Sequence, residues 1–578
     1  MMAQAGRRAQ PAGDETPWII TGVILIVGVL VFGAYWLGAV TDPQIRQAAG
    51  SANPLEIIAG QTGGSVPFTI RHGLVFAGGT LLVLGIAAVI GWAAWKQMAG
   101  RSRLDNRARS MVRAKDMAEM APKAAEVDAQ RLGATGASSG VPLGRLVNNN
   151  TPLLSSWEWV QMWICGPRAG KTSCVCVPQI LETRGPVVAT SNKRDIVDLT
   201  RGPRSRDGVV WVYDVQSIIG EKPSWYWNPL SYVEDYETAE RLADVFISSA
   251  TSAEAKKDAY FDSAGKETLA RLFLAAATDD RPITDVFRWA NDPDDFTPVK
   301  ALLNHGHGPA GDALEKTQTL TPKQRDGVYG TMRPWITVLG NEKVVPWMRP
   351  NGDLSRPEFD PHAFVTSRDT LYLVSQEGSG SAQALTAALA MVVLSYAEKI
   401  AASQPGGRLS VPLMAVLDEA ANVVRWRDLP DKYSHYGSRG IVVSTFFQSW
   451  SQAVEAFGKT GTSKMWSAAN VRVVGSGLAE DQFLPFVSTL VGERDVIKRT
   501  SSTQKNHRSV STSVQRERIL DAAELAALPR GRAVLMSSGN PAALVALEHF
   551  SRKPYADDVV ASRNHYEQRA ATATSRQR

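Results

Sequence analysis

Two stretches of the chain carry no charged residue over a length that few water-soluble folds tolerate. They are "WIITGVILIVGVLVFGAYWLGAV", Trp18 to Val40, and "GLVFAGGTLLVLGIAAVIGWAAW", Gly73 to Trp95. Each exceeds the roughly 20 apolar residues needed to cross a hydrocarbon core. Only a helix satisfies its own backbone there, so the spacing predicts two transmembrane helices. Trp18, Trp36, Trp92 and Trp95 stand near the ends, where indole rings favour the interface. A cleaved signal peptide fits poorly, because the first segment is too long and a second comes after it. Lys96, Arg101, Arg103, Arg107, Arg109, Arg113 and Lys115 crowd the exit of the second helix, whereas residues 41–72 between the helices hold only Arg46 and Arg71. Basic residues stay on the cytoplasmic side. Both termini are therefore expected in the cytoplasm, with 41–72 as an external loop and the pair anchored in inner- or plasma-membrane lipid.

Beyond the second helix the chain is long enough for a large body. It has 578 residues, 44% hydrophobic and 21% charged, which is a globular composition and too long for one ordinary domain. A net charge of +6 supports an acidic partner only weakly. The three cysteines, Cys165, Cys174 and Cys176, sit within one short segment. That placement suits a reduced compartment without a disulfide framework. No histidine or further cysteine stands at a zinc-ligand spacing, so they read as packing residues. Residues 1–17 read as a cytoplasmic tail. Residues 96–150 read as a basic linker containing "GATGASSGVPLG". Residues 555–578, with "SRNHYEQRAATATSRQR", lack apolar periodicity and read as a flexible tail.

The cysteines surround "WICGPRAGKTSC", Trp163 to Cys174. Gly170, Lys171 and Thr172 match the end of the phosphate-loop pattern G-x-x-x-x-G-K-[ST]. In that pattern backbone amides wrap phosphates and the lysine reaches the β and γ oxygens. Cys165 stands at the first glycine position, with Gly166 one place late. "VQMWIC" reads as a buried strand before the loop and "TSCVCVPQIL" as a helix after it, which aims a helix N-terminus at an anion. The candidate ATP-binding residues are Gly166, Pro167, Arg168, Ala169, Gly170, Lys171, Thr172 and Ser173. Arg168 either meets phosphate or points to solvent.

Mg2+ on such a loop needs a carboxylate at the end of a neighbouring strand. "VPLMAVLDEAANVV", Val411 to Val424, is an apolar run ending in Asp418 and Glu419, as a buried parallel strand does. Asp418 and the Thr172 hydroxyl are the candidate Mg2+ ligands, and Glu419 is the candidate that polarises the attacking water. A further strand, "GIVVSTFFQS", ends in Gln448, placed to sense the γ-phosphate.

With these motifs in hand, the chain resembles the type IV secretion coupling proteins of the TraG/TraD type, from the first helix to about Pro554. "ICGPRAGKTSCVCVPQIL" resembles their nucleotide loop and helix, and "GPVVATSNKRDIVDLT" looks like their next strand, ending in Lys193 and Asp195. "VWVYDVQSIIGEKPSWYWNPLSYV" looks like the following strand with its Asn228–Leu230 turn. "SHYGSRGIVVSTFFQSWSQAVEAFG" resembles the segment in which an arginine precedes the glutamine-ending strand. "AANVRVVGSGLAEDQFLPFVSTLVGERDV" and "RILDAAELAALPRGRAVLMSSG" look like the closing strands. The resemblance implies an α/β fold with a RecA-like P-loop ATPase domain, 151–232 and 362–554. An all-helical domain, 233–361, is inserted in it, consistent with the three- and four-residue apolar spacing of "YETAERLADVFISSA". It also implies a homo-hexamer, Arg439 as an arginine finger for the neighbouring subunit, and a relaxase–DNA complex or a secreted protein as cargo for type IV channel components.

Other readings stand beside this one. A double-stranded DNA translocase of the FtsK kind is expected to carry a sequence-reading winged-helix module, for which too little chain remains after the closing strands. A non-hydrolysing scaffold would not need Lys171, Thr172, Asp418 and Glu419 together. Trp225, Tyr226 and Trp227 form either a base-stacking platform or core beside a proline turn. Lys498 to Arg518 either lines a DNA path or is a solvated loop.

Overall fold

An uncharged apolar run closes its backbone hydrogen bonds on itself, and both runs do so, as helices Thr16–Thr41 and Ile70–Met98. The computed structural model describes residues 10–11, 16–98, 103–134, 138–251, 258–350, 352–376, 382–504 and 507–577. It divides into two units, Met1–Leu104 with Glu493–Glu517 and Asp105–Gly492 with Arg518–Arg578. The tail expected over 1–17 lies largely outside the described residues, as do the side chains of Trp18, Trp95, Lys96, Arg101 and Arg103.

In the first unit the two helices pack against each other. Gly79 permits the approach, since a Cβ there would lie 2.7 Å from the Cβ of Ala34. Ile70–Trp92 is long and apolar enough to cross a membrane, while Leu25–Thr41 bends by 87° into Pro43–Ala49. The external loop expected over 41–72 is more ordered than a loop. Asp42 caps Pro43–Ala49 and Asn53 caps Pro54–Thr62, each with a proline in the first turn. Ile45 and Ile57 bury themselves with Ala39 and Val66. Where it is described, the basic segment 498–518 is strand and not a solvated loop. It belongs to two neighbouring strands, Glu493–Gln504 and His507–Arg518, with Gln10–Pro11 parallel to the first. Most side chains of its tip lie outside the described residues.

The second unit is built on an 11-stranded sheet. In chain order its strands are β1 (Val141–Leu146), β2 (Pro152–Ser155), β3 (Gln161–Ile164), β4 (Val187–Ser191), β5 (Val210–Tyr213), β6 (Thr370–Val374), β7 (Leu413–Leu417), β8 (Ile441–Phe447), β9 (Val471–Gly475), β10 (Arg532–Ser537) and β11 (Ala543–Ala546). The spatial order is β2-β1-β11-β10-β9-β3-β8-β7-β4-β6-β5. From β9 to β5 every neighbouring pair is parallel. From β9 to β2 every pair is antiparallel. The parallel strands β3, β4, β6, β7 and β8 are buried at every position, because helices cover both faces. One covering helix, Ala382–Ser403, passes the same length and hydropathy test as Ile70–Trp92 but is 78% buried, so it is a core helix.

Between β5 and β6 the described chain is helical. Tyr236–Ala250 opens on a capping box of Asp235 and Thr238, and Ala259–Thr278 opens on Asp258. The two pack through rings such as Phe246 and Phe273, 5.3 Å apart. Trp225 and Trp227 are buried, Trp225 against Tyr213, Trp347 and Phe359, so these two are core and not a stacking platform.

Two expectations about connecting chain are corrected. From Asp105 onward the basic linker, 96–150, is part of the second unit. Asp105 takes a paired guanidinium contact from Arg532 at 2.9 and 3.0 Å, and Val141, Leu143 and Leu146 bury one face of β1. Residues 135–137, the middle of the glycine- and serine-rich stretch, lie outside the described residues. The tail expected over 555–578 is a helix, Ala556–Gln577. It lies on helix Asp195–Arg204, with Ser562 Oγ donating to Asp198 O at 2.6 Å and the Arg201 guanidinium 3.2 Å above the Tyr566 ring.

Candidate functional site

The loop after β3 is shaped by small residues. Cys165 occupies the first glycine position of the pattern and is fully buried, its amide donating to Phe447 O at 3.0 Å. Its thiol sits where a Cβ on Gly475 would lie only 2.5 Å away. Burial, partly offset by the Lys171 charge, pushes that thiol up to about 12, so it is a packing group and not a nucleophile. The close backbone approach falls to Gly166. Its amide donates to Ser476 O at 3.0 Å, and a Cβ there would sit 2.0 Å from Gly477 O. Arg168 stands exposed at the bend with φ 60°, and Gly170 comes next but one with φ 90°. A wide helical turn, Thr172–Cys176, then continues as Val177–Glu182.

The acids arrive from β7. The strand carrying them is not the immediate neighbour of β3, as the sequence suggested, because β8 lies between. Asp418 comes directly after the strand, its carbonyl fixed by Thr190 Oγ1 at 2.6 Å from β4. Glu419 has φ 56° and ψ 45°, a left-handed conformation that costs a non-glycine residue about 1–3 kcal/mol. The bend turns its carboxylate back toward the loop.

There the groups converge. Lys171 Nζ lies 2.9 Å from Glu419 Oε1 and 3.4 Å from Asp418 Oδ1. Thr172 Oγ1 donates to Asp418 Oδ2 at 3.3 Å, and Gln448 Nε2 donates to Glu419 Oε1 at 2.7 Å. Burial pulls the Lys171 pKa down, but the Asp418 and Glu419 charges outweigh it and hold the ammonium charged well beyond the usual lysine range. Burial pushes the Asp418 carboxyl above its ordinary value; Lys171 pulls it back and Glu419 adds to the rise. Two buried carboxylates thus share one ammonium. Glu419 Oε2 is buried without a hydrogen-bond partner, and Asp418 Oδ1 has only the long contact to Lys171. A hydroxyl beside an under-satisfied carboxylate suits Mg2+, which takes few protein ligands and completes its shell with water and phosphate. Among the described residues no group of three His, Cys, Asp or Glu side chains forms a protein-only metal cage.

Glu480 had no motif to announce it. It accepts from the amides of Trp450 and Ser451, at 2.8 and 2.9 Å, and so fixes the start of helix Trp450–Ala468 just after Gln448. Its loop also supplies Ser476 and Gly477 to the Gly166 approach, so one segment braces both the phosphate loop and the glutamine. The glycines of "VVGSGLAE" were the available signal. Arg439 is not brought to this cluster. It precedes β8 and Gln448 follows it, and the seven-residue strand between them alone spans roughly 20 Å at about 3.3 Å per residue. It lines a cavity of about 350 Å³ that Arg241, Lys399 and Lys432 also line.

The strand order around β3 and the lysine, hydroxyl and acids at the C-terminal ends of the strands define the class, a RecA-like α/β fold. Residues 412–530 match the family model described as the TraM recognition site of TraD and TraG. Among solved structures the chain is similar to the bacterial conjugative coupling protein TrwBdeltaN70 in its unbound monoclinic form. The TM-score is 0.52 at 16% identity, over 74% of this chain and 93% of that one. The trigonal form of TrwBdeltaN70 in complex with sulphate gives 0.52 and 16%, over 72% and 92%. At such identity these likenesses concern the fold. No curated protein sequence matches the chain. The resemblance to the TraG/TraD-type coupling proteins, read first from sequence motifs, holds on both the family match and the fold.

Proposed function

We propose that this chain is a membrane-anchored ATPase that couples a nucleoprotein or protein substrate to a type IV secretion or conjugation channel and drives its transfer by ATP hydrolysis. The observation that carries the reading is the convergence of Lys171, Thr172, Asp418, Glu419 and Gln448 from three separate strand ends. In this reading Lys171 and the loop amides hold the phosphates, and Glu419 orients a water and receives its proton. Gln448 reports the γ-phosphate to helix Trp450–Ala468. Mg2+ held through Thr172 and Asp418 would supply charge neutralisation at the phosphates.

The family match within 412–530 supports a substrate-side partner for the motor, a relaxase–DNA complex or a secreted protein. The helical segment 233–361 is the proposed face toward that cargo. A ring is proposed because Arg439, a strand length from its own loop, could serve as a finger only for a neighbour, and six subunits are what the resemblance to the coupling proteins implies. If Arg439 does not, Arg425 or Arg427 is the next choice; Arg425 Nε donates to Ala421 O at 3.0 Å, close behind Glu419, and Arg427 Nη2 donates to Thr251 Oγ1 at 3.0 Å.

Lys171→Ala should abolish nucleotide binding and turnover, whereas Glu419→Gln should retain ATP and fail to release phosphate. Undiminished ATP binding by the lysine variant rules out the loop. Helices Thr16–Thr41 and Ile70–Met98 are the proposed anchor. A reporter inserted within Ile57 to Ser65 should read as external and one after Arg113 as cytosolic; the reverse pattern overturns the topology.

A further inference from the structure

Beside the phosphate loop the second unit encloses a cavity of about 310 Å³. One wall is the first turn after the loop, Thr172 and Ser173, and a second includes Asp195 at the start of helix Asp195–Arg204. The remaining wall comes from far along the chain, through His549 with Phe550 and through Arg563 and Glu567 of the C-terminal helix. That helix is tied in place. Gly202 N donates to Ser562 Oγ at 3.0 Å, and Arg194 Nη2 donates to Tyr566 O at 3.0 Å. Residues 562 and 566 therefore face the motor, while 563 and 567 stand beside them at the rim of the cavity.

Position, size and chemistry agree on one occupant. A ligand whose phosphates lie at Lys171 must continue past Thr172 and Ser173, where the cavity opens. Ligand pockets run from about 300 to 1,000 Å³, so this one is small and suits part of a ligand. The His549 ring lies 4.4 Å from that of Phe550, tilted by 30°, which offers a flat aromatic edge. Burial and the charge of Arg552 hold the His549 pKa below its usual value, so the ring is neutral at pH 7. The exposed Arg563 guanidinium is planar and stacks readily on a base. Asp195 and Glu567 are acceptors for sugar hydroxyls.

We propose that this cavity receives the base and ribose of the nucleotide whose phosphates the loop holds, and that His549, Arg563 and the C-terminal helix are part of the nucleotide site. The inference rests on the nucleotide-loop reading above. It turns residues 556–577 from an appendage into a wall on which affinity for the nucleoside depends.

The test measures calorimetric binding of ATP and of inorganic tripolyphosphate, each with Mg2+, to the full-length protein in detergent. His549→Ala and Arg563→Ala alter exposed side chains, and circular dichroism checks that each variant is folded. Each should weaken ATP binding by between about 5-fold and 100-fold, the range of a lost stacking contact. Neither should change tripolyphosphate binding, and Arg569→Ala, at an exposed position of the same helix outside the cavity's lining, should change neither ligand. Wild-type protein that binds both ligands, with His549→Ala and Arg563→Ala matching it on ATP, overturns this inference alone. So does an equal loss on both ligands, which would mean the residues act on the phosphates. Wild-type protein that binds neither ligand overturns the loop reading and the inference together.

Discussion

At their C-terminal ends the strands β3, β7 and β8 deliver Lys171, Asp418, Glu419 and Gln448 into one cluster. At the opposite end of β8 stands Arg439, in a groove shared with Lys399 and Lys432. The two ends handle charge differently. In the groove Lys399 pairs with Glu234 at 2.9 Å and Lys432 with Glu398 at 3.1 Å, one acid to each base, with the lysines at least a third exposed. Such pairs stabilise a fold little, about 0–1 kcal/mol each. In the cluster the side chains of Lys171, Asp418 and Glu419 are 11%, 6% and 7% exposed, and two acids compete for one base. Balanced surface charge is structural; buried, unbalanced charge beside a strained Glu419 is the arrangement that a phosphate and a divalent cation would complete. Arg439 is the exception at its own end, since among the described residues it forms no ion pair.

The comparison breaks first at Arg439. If that guanidinium serves a neighbouring ring member, Arg439→Ala should bind ATP normally and lose about 10³- to 10⁵-fold in turnover. Mixing it with Lys171→Ala subunits should restore part of the phosphate release, because each supplies the half-site the other lacks. Normal turnover by Arg439→Ala alone would leave its end of the sheet purely structural. A smaller effect tests the cluster's scaffold. Gly166→Ala drives a methyl group into Gly477 O and should cost about 1–3 kcal/mol in thermal unfolding, with ATP affinity lost as well. An unchanged melting temperature would mean that the 475–480 loop yields freely. The smallest effect concerns pH. The folded state raises the Asp418 pKa, so this group's contribution to stability is fully present below its unfolded value, 3.8, and is lost as pH rises through the raised value. Asp418→Asn removes that dependence. Its melting temperature should therefore gain on the wild type as pH rises above about 4, and a constant offset from pH 4 to 8 would show that burial is not what Asp418 resists.

The sequence made local features legible. Gly170-Lys171-Thr172 and Asp418-Glu419 each lie within a few residues after an apolar run, so pattern and chemistry coincide. How the Cys165 departure is accommodated was not legible, because sequence cannot show that Gly166 is the residue facing Gly477. Glu480 and Thr190 escaped notice because their work is a backbone contact with a distant segment, and no spacing encodes that. Strand β1 hid in a stretch whose Gly and Pro argue for a linker; its buried Val141, Leu143 and Leu146 count only once β11 lies alongside. The C-terminal helix hid for a related reason. Of its inward residues, Ser562 and Tyr566 are polar, so no apolar stripe marked the side that packs.

The central position of β3 also has a consequence for how the molecule is made. Its partners are β8 and β9, and a contact such as Val160 N to Asn470 Oδ1 spans 310 residues. At translation rates of about 5–20 residues per second, the ribosome needs on the order of 15–60 s to supply those partners after β3 has emerged. Throughout that interval the strand that will carry Lys171 has neither edge paired. The apolar run "VQMWIC" is then an open template for other chains. The loop that carries Lys171 is thus among the last parts of the sheet to become foldable.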